Sequence, residues 1–179
     1  MIELEQTKLW VERAVIGLNL CPFAKAPQTK GLVRYVLCKG KKRDALLKVL
    51  SEQLMYLDST PPELCETVLI VHPNVLQSFL DYNDFLEDAD LLLERQGLDG
   101  IFQIASFHPD YEFEDSEGDD IANYTNRSPY PMLHILREAS IDKALQGAAD
   151  PQELSDAIVA RNQALLQKLG KSGWEKLWA

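Results

Sequence analysis

Thr67-Val68-Leu69-Ile70-Val71-His72-Pro73-Asn74 is the stretch that decides the fold. Its first five residues are apolar or β-branched with no polar alternation. That is the pattern of a strand buried on both faces, and so central in a sheet covered by helices. His-Pro-Asn then stops it, because proline cannot donate to a ladder and asparagine serves as a helix cap. Working outward, Leu32 to Cys38, started by Gly31 and stopped by Gly40, reads as a strand over about 31–38, and Ile101 to Phe107 as another over about 101–107.

Apolar residues spaced by three, four and seven predict helices at about 4–19 (Trp10, Val11, Ala14, Leu18), 42–57 (Leu46, Leu50, Leu54, Leu57) and 75–96, the last capped by Asn74 and ended by Gly97. Two more are expected, at about 129–145 behind Ser128-Pro129 and at about 151–169 behind Asp150-Pro151-Gln152-Glu153. The alternation predicts an α/β fold: a small, mostly parallel sheet of at least three strands, covered by helices, in a single domain over 1–179.

With 179 residues and a 46% hydrophobic share, the chain can bury a real core. Its net charge of −10 opposes binding to a phosphate backbone, and the basic run Lys39-Gly40-Lys41-Lys42-Arg43 reads as the solvated first turn of a helix. No nucleic-acid partner is expected. The acidic start Met1-Ile2-Glu3-Leu4-Glu5 is unlike a signal peptide, and no apolar run suits a membrane. Three cysteines in an odd count, without CxxC or Cys/His zinc spacing, point to reduced thiols and a cytoplasmic location.

Chemistry concentrates between Ser106 and Glu138. A polar connection this long inside a small domain is uncommon and is usually functional or disordered. Ligands of parallel α/β sheets bind beyond the carboxyl ends of the strands. If their strands are parallel, His72 and His108 stand at one rim; otherwise they lie at opposite ends. His108, with Asp110 or Asp120 to orient it, is the candidate general acid/base, because imidazole titrates nearest neutral pH. Ser128 as a cap and Pro129 after it would leave free N–H groups at a helix start, which attract an anion, and Arg127 would add a bidentate fork. Asn123 and Asn126 neighbour that start. In the same expected helix Tyr130, His134, Arg137 and Glu138 form one polar stripe, so His134 and Arg137 would line the far wall.

The acidic run from Asp110 to Asp120 invites a divalent metal, for example at His108, Asp110 and Asp120, but Gly118 in the sixth EF-hand position would put Phe113 in the first. Cofactor and metal are therefore unassigned. Cys21, before Pro22, would be a reactive thiol if it capped a helical turn, although buried and inert is the commoner state. Trp174 and Trp178 are expected to pin the C-terminus or to pack in a homodimer interface. No GxGxxG, Walker or GxSxG motif occurs.

The motifs Leu18-Asn19-Leu20-Cys21-Pro22-Phe23-Ala24, Val71-His72-Pro73, Ser106-Phe107-His108-Pro109-Asp110-Tyr111 and Asn123-Tyr124-Thr125-Asn126-Arg127-Ser128-Pro129-Tyr130-Pro131 together resemble an uncharacterised bacterial family of about this length, known as a domain of unknown function. The resemblance covers nearly the whole chain. It implies a stand-alone soluble bacterial protein and carries no substrate, cofactor or catalytic residue.

The residues lead to one expectation, an enzyme acting on a small anionic metabolite by hydrolysis or group transfer. A non-catalytic ligand-binding or protein-interaction module using the same loop is the alternative.

Overall fold

The structure, a computed structural model, describes residues 2–114, 116–146 and 150–177; Asp115 and Trp178 of the readings above lie outside them. Helix α1 (Ile2–Trp10) runs on into a π-helical segment, Val11–Ile16. Then come α2 (Lys25–Thr29), β1 (Val33–Leu37), α3 (Arg43–Asp58), β2 (Thr67–Val71), α4 (Phe79–Arg95) and β3 (Phe102–Phe107). A 3-10 turn at Ile121–Thr125, β4 (Met132–Arg137), α5 (Glu138–Leu145) and α6 (Pro151–Glu175) complete the order.

The sheet order is β1-β2-β4-β3. Only β1 and β2 pair in parallel; β4 runs antiparallel to both β2 and β3. The expectation of a mostly parallel sheet is therefore corrected. Because β4 reverses direction against each neighbour, β1, β2 and β3 nevertheless all point the same way.

The cause of that correction is β4 itself, which occupies sequence expected to be helical over 129–145. Met132, Ile135 and Leu136 satisfy a helical stripe as well as a strand. What decides is pairing: six residues bond β3 on one side and four bond β2 on the other. Met132, Leu133 and Ile135 become wholly buried, on both faces of the sheet. Helical conformation waits until α5 begins at Glu138. Tertiary pairing has overridden local pattern.

Two apolar clusters sandwich the sheet. Leu46, Leu50 and Leu54 of α3 and Tyr82, Phe85 and Ala89 of α4 pack on Val68, Ile70, Leu133 and Ile135. On the other face Trp10, Ala14, Leu166 and Trp174 pack on Leu69 and Met132. The alternation of β2 between these clusters is why its five residues are all buried and none is polar except Thr67.

Local punctuation follows the chain. Asp150 caps α6, its carboxylate accepting from the N–H of Gln152 at 2.8 Å, as its position predicted. Gly97, with φ of 67°, follows the end of α4. Asn74 does not cap α4: a turn intervenes in which Leu76 takes φ of 58°, and Ser78 stands at the cap. A leucine there is strained by roughly 1 kcal/mol or more.

Arg137 ends β4 and stitches the layers. Its Nη2 donates to the carbonyls of Leu57, Thr60 and Cys65 at 3.0, 2.6 and 3.0 Å. The first of these is a carbonyl of the last turn of α3, which also accepts from the Thr60 N–H at 3.1 Å. Arg137→Ala is expected to lower unfolding free energy by about 2–4 kcal/mol, since charge-assisted bonds to buried carbonyls are lost. Urea denaturation checks this, and an unchanged midpoint would show the stitch to be dispensable.

Candidate functional site

Met132 stands opposite Val71 of β2 and Phe107 of β3. His72 and His108 each come one residue later, so they flank the start of β4 at the same rim and on the same face. Both are wholly buried. Tyr82 of α4 sits between them, its ring 5.8 Å from His72 and 5.2 Å from His108. The Tyr82 hydroxyl donates to the Met132 carbonyl at 2.8 Å and accepts from the Phe107 N–H at 3.0 Å. Burial pushes its pKa upward, so it remains a phenol.

The two imidazoles have opposite proton assignments. His72 Nδ1 lies 3.0 Å from the Val75 carbonyl, which can only accept, so the proton is on Nδ1. Its Nε2 is then an acceptor, buried and without a hydrogen-bond partner. His108 is the reverse: Nδ1 accepts from the Asp110 N–H at 3.0 Å, and Nε2 donates to the Leu76 carbonyl at 3.2 Å. Burial lowers His72 from the ordinary 6.5 to about 4, against the pull of the Val75 carbonyl. Burial also lowers His108, with the Leu76 carbonyl and Asp110 opposing it. Both rings are neutral at pH 7.

Above this rim the polar loop is braced by its own side chains. Asn123, fully buried, accepts on Oδ1 from the Phe113 N–H at 3.0 Å and the Ser116 hydroxyl at 2.7 Å, and donates from Nδ2 to Glu117 at 3.0 Å. Asn126 donates to the Ser106 carbonyl at 3.1 Å. Arg127 donates from Nε to Tyr111 at 3.2 Å and from Nη2 to Gly118 at 2.7 Å, and its guanidinium lies 4.4 Å over the Tyr124 ring. Backbone bonds join the two ends of the loop: His108 N–H to Asn126 at 3.2 Å and Ser128 N–H to His108 at 3.4 Å. His108 and Arg127 thus share one loop frame, but one points inward to Leu76 and the other along the loop.

Several expected groupings are not formed. With β4 in place of a helix, Ser128 caps nothing; its hydroxyl donates to the Tyr130 carbonyl at 2.7 Å. His134 and Arg137 lie on opposite faces of β4, not on one stripe. His134 Nε2 is 2.7 Å from the Thr67 hydroxyl, which donates in turn to Ile135 at 2.5 Å. Burial draws His134 down to about 4, although part of the residue keeps contact with solvent. Asp110 contributes its backbone, and Asp120 caps the 3-10 turn through the Ala122 N–H at 2.9 Å. His108, Asp110 and Asp120 therefore do not converge on a metal, and among the described residues no three His, Cys, Asp or Glu side chains do. Cys21 opens a turn, its carbonyl accepting from Ala24 at 3.3 Å; Ala24, not Cys21, stands at the cap of α2. Trp174 packs edge-on to Tyr124 at 5.3 Å within the chain, pinning its C-terminal end.

What the sequence reading missed lies beyond β1 and β2. Helices α3 and α4 both begin at the histidine rim, and neither has a side-chain cap bond. Arg43 joins them, donating to the Asp81 carbonyl at 3.1 Å and lying 4.0 Å from its carboxylate. Lys39, Lys41 and Lys42 are exposed around the start of α3. Gly40 is needed there, because a Cβ would come 2.5 Å from that of Ala45. The available signal was the glycine within the lysine run directly after a strand.

The chain belongs to the family described as "Protein of unknown function (DUF1415)", whose model matches residues 3–176. No curated protein and no solved structure matches it. Among the described residues no helix is long and apolar enough to cross a membrane.

The buried imidazoles make stability depend on pH. His72 binds its proton less readily when folded than at the ordinary 6.5. Its contribution is complete above pH 6.5 and is lost as pH falls toward about 4. The urea midpoint should drop over this window, and His72→Asn should reduce the drop by roughly 2–3 kcal/mol between about pH 7 and pH 4.5. An identical pH profile in the variant would contradict the burial of a neutral His72.

Proposed function

We propose that the protein is an enzyme acting on a small anionic metabolite by hydrolysis or group transfer, with His72 as the proton acceptor of the reaction. The observation that carries this reading is the buried, unpartnered Nε2 of His72. Buried polar atoms are nearly always paired, and an exception at the carboxyl ends of the strands suits a catalytic base. With a pKa of about 4, His72 keeps that nitrogen unprotonated at neutral pH. In this reading His108 is a positioning residue, since both its nitrogens are bonded to backbone.

The anion belongs at the paired starts of α3 and α4. Each helix start carries roughly half a positive charge, and Lys39, Lys41 and Lys42 add to it. Arg127, with two nitrogens holding loop carbonyls, keeps the loop in place instead. The three cysteines are free thiols, in keeping with a cytoplasmic protein.

A non-catalytic binding module is favoured by a different observation. The loop is braced by its own side chains, and the exposed ring of Phe113 lies 5.0 Å from Tyr111.

The two readings separate in a turnover assay against phosphate and carboxylate esters, with Lys41→Ala and Lys42→Ala alongside His72→Asn. Asparagine can keep the bond to Val75 while removing Nε2. For an enzyme, kcat should fall by about 10²- to 10⁴-fold in His72→Asn with KM little changed, and the lysine variants should raise KM. Equal turnover by His72→Asn and parent removes His72 from the chemistry. Absence of turnover in the parent, with an anion raising its melting temperature, favours the binding module.

A further inference from the structure

We infer that Leu76 is a positioning residue: its left-handed backbone aims two consecutive carbonyls at two different histidines and so fixes both tautomers at the rim. Its use in catalysis rests on the proposed function; the fixing of the tautomers does not. Leu76 has φ of 58°. The Val75 carbonyl accepts from Nδ1 of His72 at 3.0 Å, and the Leu76 carbonyl accepts from Nε2 of His108 at 3.2 Å. Those carbonyls belong to the two peptide planes that meet at the Cα of Leu76. Each plane is rigid, so the angle between them is set by the φ and ψ of Leu76. A helical or extended residue here would turn one carbonyl away from its ring. The Gln77 carbonyl adds a lesser pull on the His108 ring.

A positive φ suits glycine or asparagine, and a leucine keeps it only where its surroundings over-determine it. Val75 and Leu76 are both buried in the apolar cluster that α3 and α4 form with the sheet. The Val75 N–H returns to the His72 carbonyl at 3.4 Å, and the Gln77 side chain donates to the Pro73 carbonyl at 2.9 Å. The leucine side chain thus anchors a turn whose backbone orients the rings. The consequence at the rim is double. His72 is held with Nε2 as the bare acceptor. His108 is left to accept the Asp110 N–H at 3.0 Å, where the polar loop begins. Strain of this kind is kept where it preorganises a group for chemistry.

Two substitutions in the full chain separate this role from packing, read from the histidine ring nitrogens by NMR at pH 7. Leu76→Gly removes the side chain and tolerates a positive φ. Leu76→Ile keeps the volume, but its β-branch resists that φ. Positioning by the backbone predicts that Leu76→Gly retains opposite tautomers in His72 and His108. In Leu76→Ile at least one ring should become a mixture, its tautomer ratio falling about fivefold with the lost hydrogen bond. Every other pairing overturns the inference, including the reverse order that packing alone predicts. The parent supplies a measurement that no folding failure can remove. Couplings across the hydrogen bonds, from His72 Nδ1 to the Val75 carbonyl carbon and from His108 Nε2 to that of Leu76, should be present, and absence of either overturns the inference. No substrate enters these readouts, so a parent without turnover would fail the proposed function and leave the role of Leu76 standing.

Discussion

Everything at the rim depends on β4 lying antiparallel between two strands that point the same way. One residue, Met132, thereby faces Val71 and Phe107 at once. The residues that follow those two partners, both histidines, are brought to equivalent positions around a single tyrosine. The Tyr82 hydroxyl, shared between Met132 and Phe107, closes the seam from the helix side. Shifting β4 by one residue would turn its apolar residues onto the wrong faces, so the packing of both cores enforces the register that sets the histidines.

The electrostatics of this rim are those of neutral groups kept dry. Backbone carbonyls take the proton-bearing nitrogen of each ring, and burial holds both rings uncharged. Charge is kept outside: three lysines and two helix starts on one side, an acidic loop on the other. In the proposed function, this is the setting in which His72 would take a proton beside a bound anion. The strain at Leu76 belongs to the same arrangement, because the carbonyl of that residue is the acceptor for His108.

Much of the fold was legible. Thr67–Val71 is a strand buried throughout, and Asp150 and Gly97 act as their types and positions predicted. Of the helix expected over 129–145, Glu138–Leu145 is helical, but residues 132–137 were not legible as strand, because Met132, Ile135 and Leu136 fit either period and only the open edges of β2 and β3 decide between them. That ambiguity carried over to the site: a cap at Ser128 and a shared face for His134 and Arg137 both presuppose a helix. The meeting of His72 with His108 was readable as a condition on strand direction. Tyr82 was not, since nothing in its own helix marks the one aromatic that reaches across to both rings. The start of α3 behind the lysine run was legible; the role proposed for it was not, because lysines in isolation look like ordinary solvated charge.

The most direct measurement of the central claim is the tautomeric state of the two histidines, read from long-range proton–nitrogen correlations at neutral pH. Opposite tautomers are predicted, with the proton on Nδ1 in His72 and on Nε2 in His108. Two rings in the same tautomer, or either one as imidazolium, would contradict the rim described here.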